Sequence, residues 1–267
     1  MFDRLFFSQD NMNKIISKEN QIYKLCSKLT ARKYRDACGK YLIEGDRLII
    51  EALKTGQKLD TVIVAEGKTP PVDLPCRAVS MEEKLFEKLS QTQASQGILA
   101  IVEKKVMEEE DFLRRIQTKS GNVVLLDRLQ DPGNIGTILR TADAAGYSGL
   151  MTIKGTADLY APKIVRAAAG SLFRIPVFAA DCAEQAVSIL KAAGKTILAT
   201  GFDTKLCYYD IDMRQNIGLI IGNEGNGISA ELMDMAHQVI RIPMDGNIDS
   251  LNAAVAAGIL MYESVRK

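Results

Sequence analysis

Tryptophan is absent from this 267-residue sequence, and histidine occurs once, at His237. A metal centre built on several histidines is thereby excluded. No run approaches the roughly 18 consecutive apolar residues of a membrane-spanning helix. The opening MFDRLFFSQD carries charge on both sides of a very short apolar patch, which is not the layout of a secretory signal. The five cysteines, Cys26, Cys38, Cys76, Cys182 and Cys207, are scattered and form no C-x-x-C pair. They read as reduced thiols of a cytoplasmic protein, not as a disulfide framework. An excess of one charge is missing too: at a net charge of +1 the whole-molecule field announces no polyanionic partner.

What is present is distributed unevenly. Lys24, Lys28, Arg32, Lys33, Arg35 and Lys40 crowd a stretch that holds one acid, Asp36. Lys28, Arg32 and Arg35 fall at i, i+4 and i+7, one face if the stretch is a single helix. Such a stripe suits phosphate contact, and a plainly solvated helix face has the same spacing.

Beyond it the chain alternates strand and helix. KYLIEG, DTVIVAEG, CRAVS and GILAIVEK read as strands, with DRLIIEALKTG and MEEKLFEKLS as helices between them. A charged stretch, EKKVMEEEDFLRRIQTKSGN, reads as a partly helical linker. A second series follows, with strands at NVVLLDRL, GLMTIKG, RIPVFAA, KTILATGF, NIGLII and QVIRIPM. Its helices are NIGTILRTADAAG, APKIVRAAAGSLF, CAEQAVSILKAAG, SAELMDMAH and SLNAAVAAGILMYESVRK. The expected class is α/β, with strands apolar on both faces in a mostly parallel sheet. The expected division is an arm at 1–19, a small α/β domain at 20–105, a linker at 106–120 and a second domain at 121–267.

Three polar clusters follow strands of the second domain, at the edge where open parallel sheets bind ligands. In DPGNIGTILR, Pro132 and Gly133 make a turn, Asn134 can cap the next helix, and Arg140 lies six residues on. In IGNEGNGI, closely spaced glycines let a ligand approach the backbone. The run Gly225-Asn-Gly-Ile-Ser-Ala230 also matches the dinucleotide pattern G-x-G-x-x-A, with Asp245 near the distance of a ribose contact. A nicotinamide-binding unit is therefore a rival reading, although Glu224 sits where a pyrophosphate needs donors. In RIPMDGNIDSLNAA, Ser250 is a good N-cap for the last helix and Asn252 lies beside it. Taken singly, capping accounts for Asn134, Ser250 and Asn252, a surface position for Arg140 and a tight turn for the glycine-rich loop.

Taken in order, NIGTILR, IGNEGNGI and IPMDGNIDSLNAAVAAGI resemble the three signature motifs of the SpoU/TrmH branch of the SPOUT RNA methyltransferases. KYLIEGDRLIIEAL resembles the L30e-like substrate-binding domain often attached to that family, and the overall layout resembles that of bacterial 23S rRNA 2′-O-ribose methyltransferases. The resemblance implies a C-terminal trefoil knot, S-adenosylmethionine as cofactor, a ribose 2′-hydroxyl of RNA as acceptor and a homodimer whose active site draws on both subunits. It places Asn134, Arg140, Glu224, Ser250 and Asn252 at the catalytic centre, and Thr200, Gly201, Gly222, Ile242, Met244 and Leu251 around the cofactor. The basic stripe of Lys28, Arg32 and Arg35 is the expected RNA contact, and neither metal nor membrane is expected. Within the family reading the RNA is ribosomal or transfer RNA. A non-catalytic RNA-binding module of ribosome assembly remains the alternative from another class.

Overall fold

A computed structural model describes residues 13–92, 94–118, 121–246 and 250–266. The chain divides into two compact units, 1–105 with 160–166, and 106–159 with 167–267.

The first unit carries a five-stranded sheet of order β1-β4-β3-β5-β2. Its strands are β1 (Lys14–Ile15), β2 (Lys40–Glu44), β3 (Leu59–Ala65), β4 (Arg77–Met81) and β5 (Ile98–Glu103). β1, β4 and β3 run parallel and β5 runs antiparallel to both neighbours, so this sheet is mixed. The end of the expected arm is thus an edge strand, while residues 1–12 lie outside the described residues. The basic stretch forms two helices, α1 (Gln21–Lys28) and α2 (Arg32–Cys38), not one. The break comes at Leu29–Ala31, and Arg35 is buried there, donating to the carbonyls of Leu29 and Thr30, both at 2.8 Å. These are carbonyls that the end of α1 leaves without helical partners. The expected stripe is therefore broken: Arg35 serves the turn, Arg32 pairs with Asp36 at 3.4 Å and Lys28 lies 5.6 Å from the Tyr34 ring centroid. Helices α3 (Asp46–Lys54) and α4 (Glu83–Leu89) complete this part of the unit around a core that includes Leu42, Ile63, Phe86 and Ile101.

The segment expected as a linker belongs to the second unit. Its helix α5 (Glu109–Thr118) buries Phe112 and Ile116 completely in the core formed with Leu125, Met151 and Leu190. The charges that suggested a linker lie on its outer face, where they cost nothing in desolvation. Six strands follow in an entirely parallel sheet of order β11-β9-β10-β6-β7-β8. They are β6 (Val123–Leu126), β7 (Gly149–Ile153), β8 (Val177–Ala180), β9 (Thr196–Thr200), β10 (Ile217–Ile221) and β11 (Gln238–Ile240). The chain builds outward from β6 to β8, crosses to β9, and then inserts β10 between β9 and β6. That reversal is the kind of switch point at which a parallel sheet opens a crevice.

Helices α6 (Pro132–Ala144), α8 (Ala183–Ala192), α9 (Ala230–Met235) and α10 (Ala253–Glu263) accompany the sheet. The helix expected over 161–173 is shorter, α7 (Pro162–Ala167), with a 3₁₀ turn at Ser171–Phe173. Gly136 in α6 is a close-approach residue: a Cβ there would stand 2.3 Å from the Ala167 Cβ and 2.9 Å from its carbonyl carbon. Among the described residues no helix is long and apolar enough to cross a membrane, and no cluster of three or more metal-ligating side chains occurs.

Candidate active site

The loops after β9, β10 and β11 open on one edge of the sheet and, with the start of α10, line a cleft of about 480 Å³. Thr200, Gly201, Gly222, Ile242, Met244 and Leu251 all line it, as do Glu224, Ser250 and Asn252. This volume lies within the range of small-molecule and cofactor pockets, about 300–1,000 Å³.

Gly222 shapes the inner wall. A Cβ at that position would fall 2.4 Å from the Gly227 carbonyl carbon and from the Ile228 nitrogen, so the loop folds back on itself only with glycine there. The fold-back is fixed by paired hydrogen bonds between the backbones of Asn223 and Gly227, at 2.9 and 3.0 Å. Ile221, Ile228, Ile240 and Leu251 make much of the lining apolar. A flat heterocycle held by apolar contact and backbone polar groups fits such a wall, and the cleft thus suits a nucleoside-bearing cofactor.

Beside the cleft runs a chain of amides whose polarity is fixed. Asn252 caps α10, its Oδ1 accepting from the backbone N–H groups of Ala254 at 2.9 Å and Val255 at 3.2 Å. Its Nδ2 therefore faces outward and donates to Asn134 Oδ1 at 2.9 Å. Asn134 Nδ2 in turn donates to Glu224 Oε1 at 3.2 Å. An ionised carboxylate only accepts, so each amide in the chain has one orientation. The backbone N–H groups of Gln130 and Asp131 also donate to Glu224, at 3.2 and 3.1 Å. Burial pushes the Glu224 carboxyl up. Its own backbone amide, Asn134 and the amides of Asp131 and Gln130 outweigh that and hold it below the ordinary glutamate value. Glu224 is thus kept ionised.

Two expected caps belong to neighbouring residues. Asp131, not Asn134, caps α6, accepting from the Asn134 N–H at 2.8 Å. Pro132 is preorganised for the first helical position, so the helix starts three residues earlier than a cap at Asn134 would require. Ser250 lies outside α10, whose cap is Asn252, and its exposed hydroxyl makes no hydrogen bond among the described residues. Asn247–Asp249 lie outside the described residues. Arg140 is exposed and makes no ion pair or hydrogen bond among the described residues. Six helical steps turn it about 240° from Asn134, so it is not brought to the cluster within the chain.

The backbone donors at Gln130 and Asp131 left no mark in the side-chain pattern, although D-P at 131–132 is a readable helix start. Also missed were Phe202 and Arg241, which line the cleft. The rival dinucleotide site fails on geometry. The Ser229 N–H at the start of α9 is already bound by the fully buried Asp127 at 2.6 Å, and α9 has only six residues. A pyrophosphate would need that donor free.

Residues 121–262 match the SpoU rRNA Methylase family. The chain belongs to that family. Residues 20–100 match the MRM3-like substrate binding domain. The chain is 36% identical over 253 residues to the 23S rRNA (guanosine(2553)-2′-O)-methyltransferase RlmP of Bacillus subtilis, covering 94% of this chain and 98% of that one. An AdoMet-bound rRNA methyltransferase from Sinorhizobium meliloti superposes with a TM-score of 0.85 at 33% identity, covering 95% of this chain and 97% of that chain. The SpoU methyltransferase AviRb from Streptomyces viridochromogenes, in complex with AdoMet, gives 0.84 at 30% identity, covering 92% and 97%.

Proposed function

We propose that this protein transfers a methyl group from S-adenosylmethionine to a ribose 2′-hydroxyl of 23S rRNA. The observation that carries the reading is the convergence of Asn134, Glu224 and Asn252, from three distant segments, beside the cleft lined by the glycine-rich loop. The backbones around Thr200, Gly201, Gly222, Ile242, Met244 and Leu251 hold the cofactor. The sulfonium supplies an already activated methyl group. The chain's own task is to align the acceptor oxygen, exclude water and assist loss of a weakly acidic proton. Alignment of this kind is worth roughly 7–11 kcal/mol.

Glu224 stays ionised and orients the amide of Asn134, while Asn252 fixes the other end of that amide and Ser250 offers its hydroxyl to the cleft. The Arg140 guanidinium is a planar fork of donors with no acceptor. It stabilises the developing alkoxide or clamps the adjacent phosphate. Because it points away from Asn134 within the chain, it serves the site of a second copy. α10 supports such a pairing: Ala254, Ala257, Leu260 and Met261 are buried, while Val255 and Tyr262 on its other side remain 52% exposed. The first unit captures the RNA, with Lys28 and Arg32 among its exposed cations. The same reading gives that unit an L30e-like fold, threads the second as a trefoil knot and places the enzyme with its rRNA in the cytoplasm.

The test is methyl incorporation from labelled cofactor into unmodified 23S rRNA, with the product mapped by resistance to alkaline cleavage at the modified ribose. A single protected position is expected. Base methylation, or no transfer to 23S rRNA, would overturn the reading.

A further inference from the structure

The mouth of the cleft carries an aromatic ring and a cation that the amide chain does not use. Phe202 is 67% exposed, and Arg241 is exposed with no hydrogen bond or ion pair to its guanidinium among the described residues. Both line the cleft. We propose that this pair captures the nucleotide to be methylated, the base stacking on Phe202 and a flanking phosphate held by Arg241. The proposal rests on the reading of the reaction as methyl transfer to an RNA ribose.

The two residues are neighbours by register. Thr200 pairs with Ile240 on the adjacent parallel strands β9 and β11, so the chain reaches Phe202 and Arg241 just beyond that pair. Neither sits on a loose loop. The Gly201 N–H donates to the Ile240 carbonyl at 3.0 Å, and a Cβ on Gly201 would stand 2.8 Å from Val239 Cγ1. Past Phe202, Thr204 Oγ1 donates to the Val239 carbonyl at 3.1 Å and accepts from the Leu206 N–H at 3.2 Å. The Arg241 N–H donates to the Leu206 carbonyl at 2.9 Å, and its own carbonyl accepts from the Tyr208 N–H at 3.0 Å. The backbone that presents both side chains is therefore pinned while the side chains face water. A ring so exposed makes no contribution to the core.

Exposure also separates two ligands. Thr200, Gly201, Gly222, Ile242, Met244 and Leu251 are half-buried, as walls of a bound cofactor should be. Phe202 and Arg241 stand outside them, where a second ligand arrives from solvent. An unstacked base on an aromatic face with a cation at the backbone is how single RNA nucleotides are recognised. The guanidinium's fork of donors matches a phosphate.

The decisive experiment compares full-length wild type, Phe202→Ala, Phe202→Tyr, Phe202→Leu and Arg241→Gln. It uses methyl transfer to transcribed 23S rRNA, calorimetry with S-adenosylmethionine and sedimentation. Phe202→Ala and Phe202→Leu should each raise the KM for RNA tenfold or more, with cofactor affinity within twofold and sedimentation unchanged. Phe202→Tyr should restore the KM, because it keeps the π face. Arg241→Gln should raise the KM similarly and lower the salt slope of RNA binding by about one. A parallel loss of cofactor affinity in Phe202→Ala would assign the ring to the adenine and overturn the proposal. So would a changed sedimentation coefficient, which would assign it to a contact between copies, or an unaltered KM. If wild type itself methylates no RNA, the reading of the reaction falls and the proposal with it. Wild-type activity alongside unaffected variants would remove the proposal alone.

Discussion

At the scale of single residues, the site is a problem in hydrogen-bond direction. Asn134 is nearly buried and spans from Asn252 to Glu224. Asn134→Ala should leave the Asn252 amide without its acceptor and cost about 1–3 kcal/mol of stability. Methyl transfer should fall about 10²-fold or more, the size seen when one preorganised donor at a reacting centre is lost. Thermal unfolding and single-turnover kinetics check the two figures. The Glu224 carboxyl gives a pH prediction. Its folded-state value lies below the ordinary 4.5, so its contribution to stability is complete above about that pH and is lost as pH falls further. No limb of the rate profile between pH 6 and 9 should therefore belong to Glu224. A limb in that range that vanishes in Glu224→Gln, while residual turnover remains measurable, would count against the assignment. The backbone at Gly222 leaves no room for a methyl group, since the atoms it would strike are main chain. Gly222→Ala should weaken S-adenosylmethionine binding by tenfold or more in calorimetry, with the first unit's unfolding transition unchanged.

Secondary elements were legible in proportion to how much of their burial the sequence advertised. β6, β9 and β10 are continuous apolar runs between polar turns, and each was found where its run lies. α5 was hidden because only Phe112 and Ile116 of its ten residues are buried, while the charged remainder imitates a linker. Phe112 is fully enclosed and stacks on Phe178 with 5.5 Å between centroids. Phe112→Ala should destabilise the second unit by about 3–5 kcal/mol, measured by urea unfolding, as large core truncations do. A true linker residue would change stability by less than about 0.5 kcal/mol. The expected caps lie three residues from the observed one at α6 and two at α10, because Asp131 and Asn252 compete as caps with Asn134 and Ser250 and the pattern alone does not rank them. The site residues were legible through their three motifs. The amides of Gln130 and Asp131 were not, since backbone donors have no letter of their own.

For the whole molecule, the proposed pairing of two copies rests on the position of Arg140 and the exposed side of α10. Tyr262→Glu should shift the sedimentation profile toward monomer at micromolar concentration and lower activity in step. Arg140→Ala should fold and bind cofactor normally yet lose about 10²-fold in transfer. Mixed with the similarly impaired Glu224→Gln, it should regain activity through hybrid dimers that hold one intact composite site. Failure of the mixture to exceed its components would confine catalysis to one chain. The late insertion of β10 has a different kind of consequence, in time and not in space. β10 pairs with β6 on one side and β9 on the other, so its neighbour β6 emerges from the ribosome long before it. Until then Val123–Leu126 presents an open, wholly apolar strand edge, a template for pairing with the wrong chain. At ordinary synthesis rates that interval is roughly 5–20 s. Nascent chains should accordingly bind holdase chaperones until the β10 segment has been made. Pairing so distant in sequence also makes the second unit a slow folder, with cofactor binding the last signal to appear on refolding.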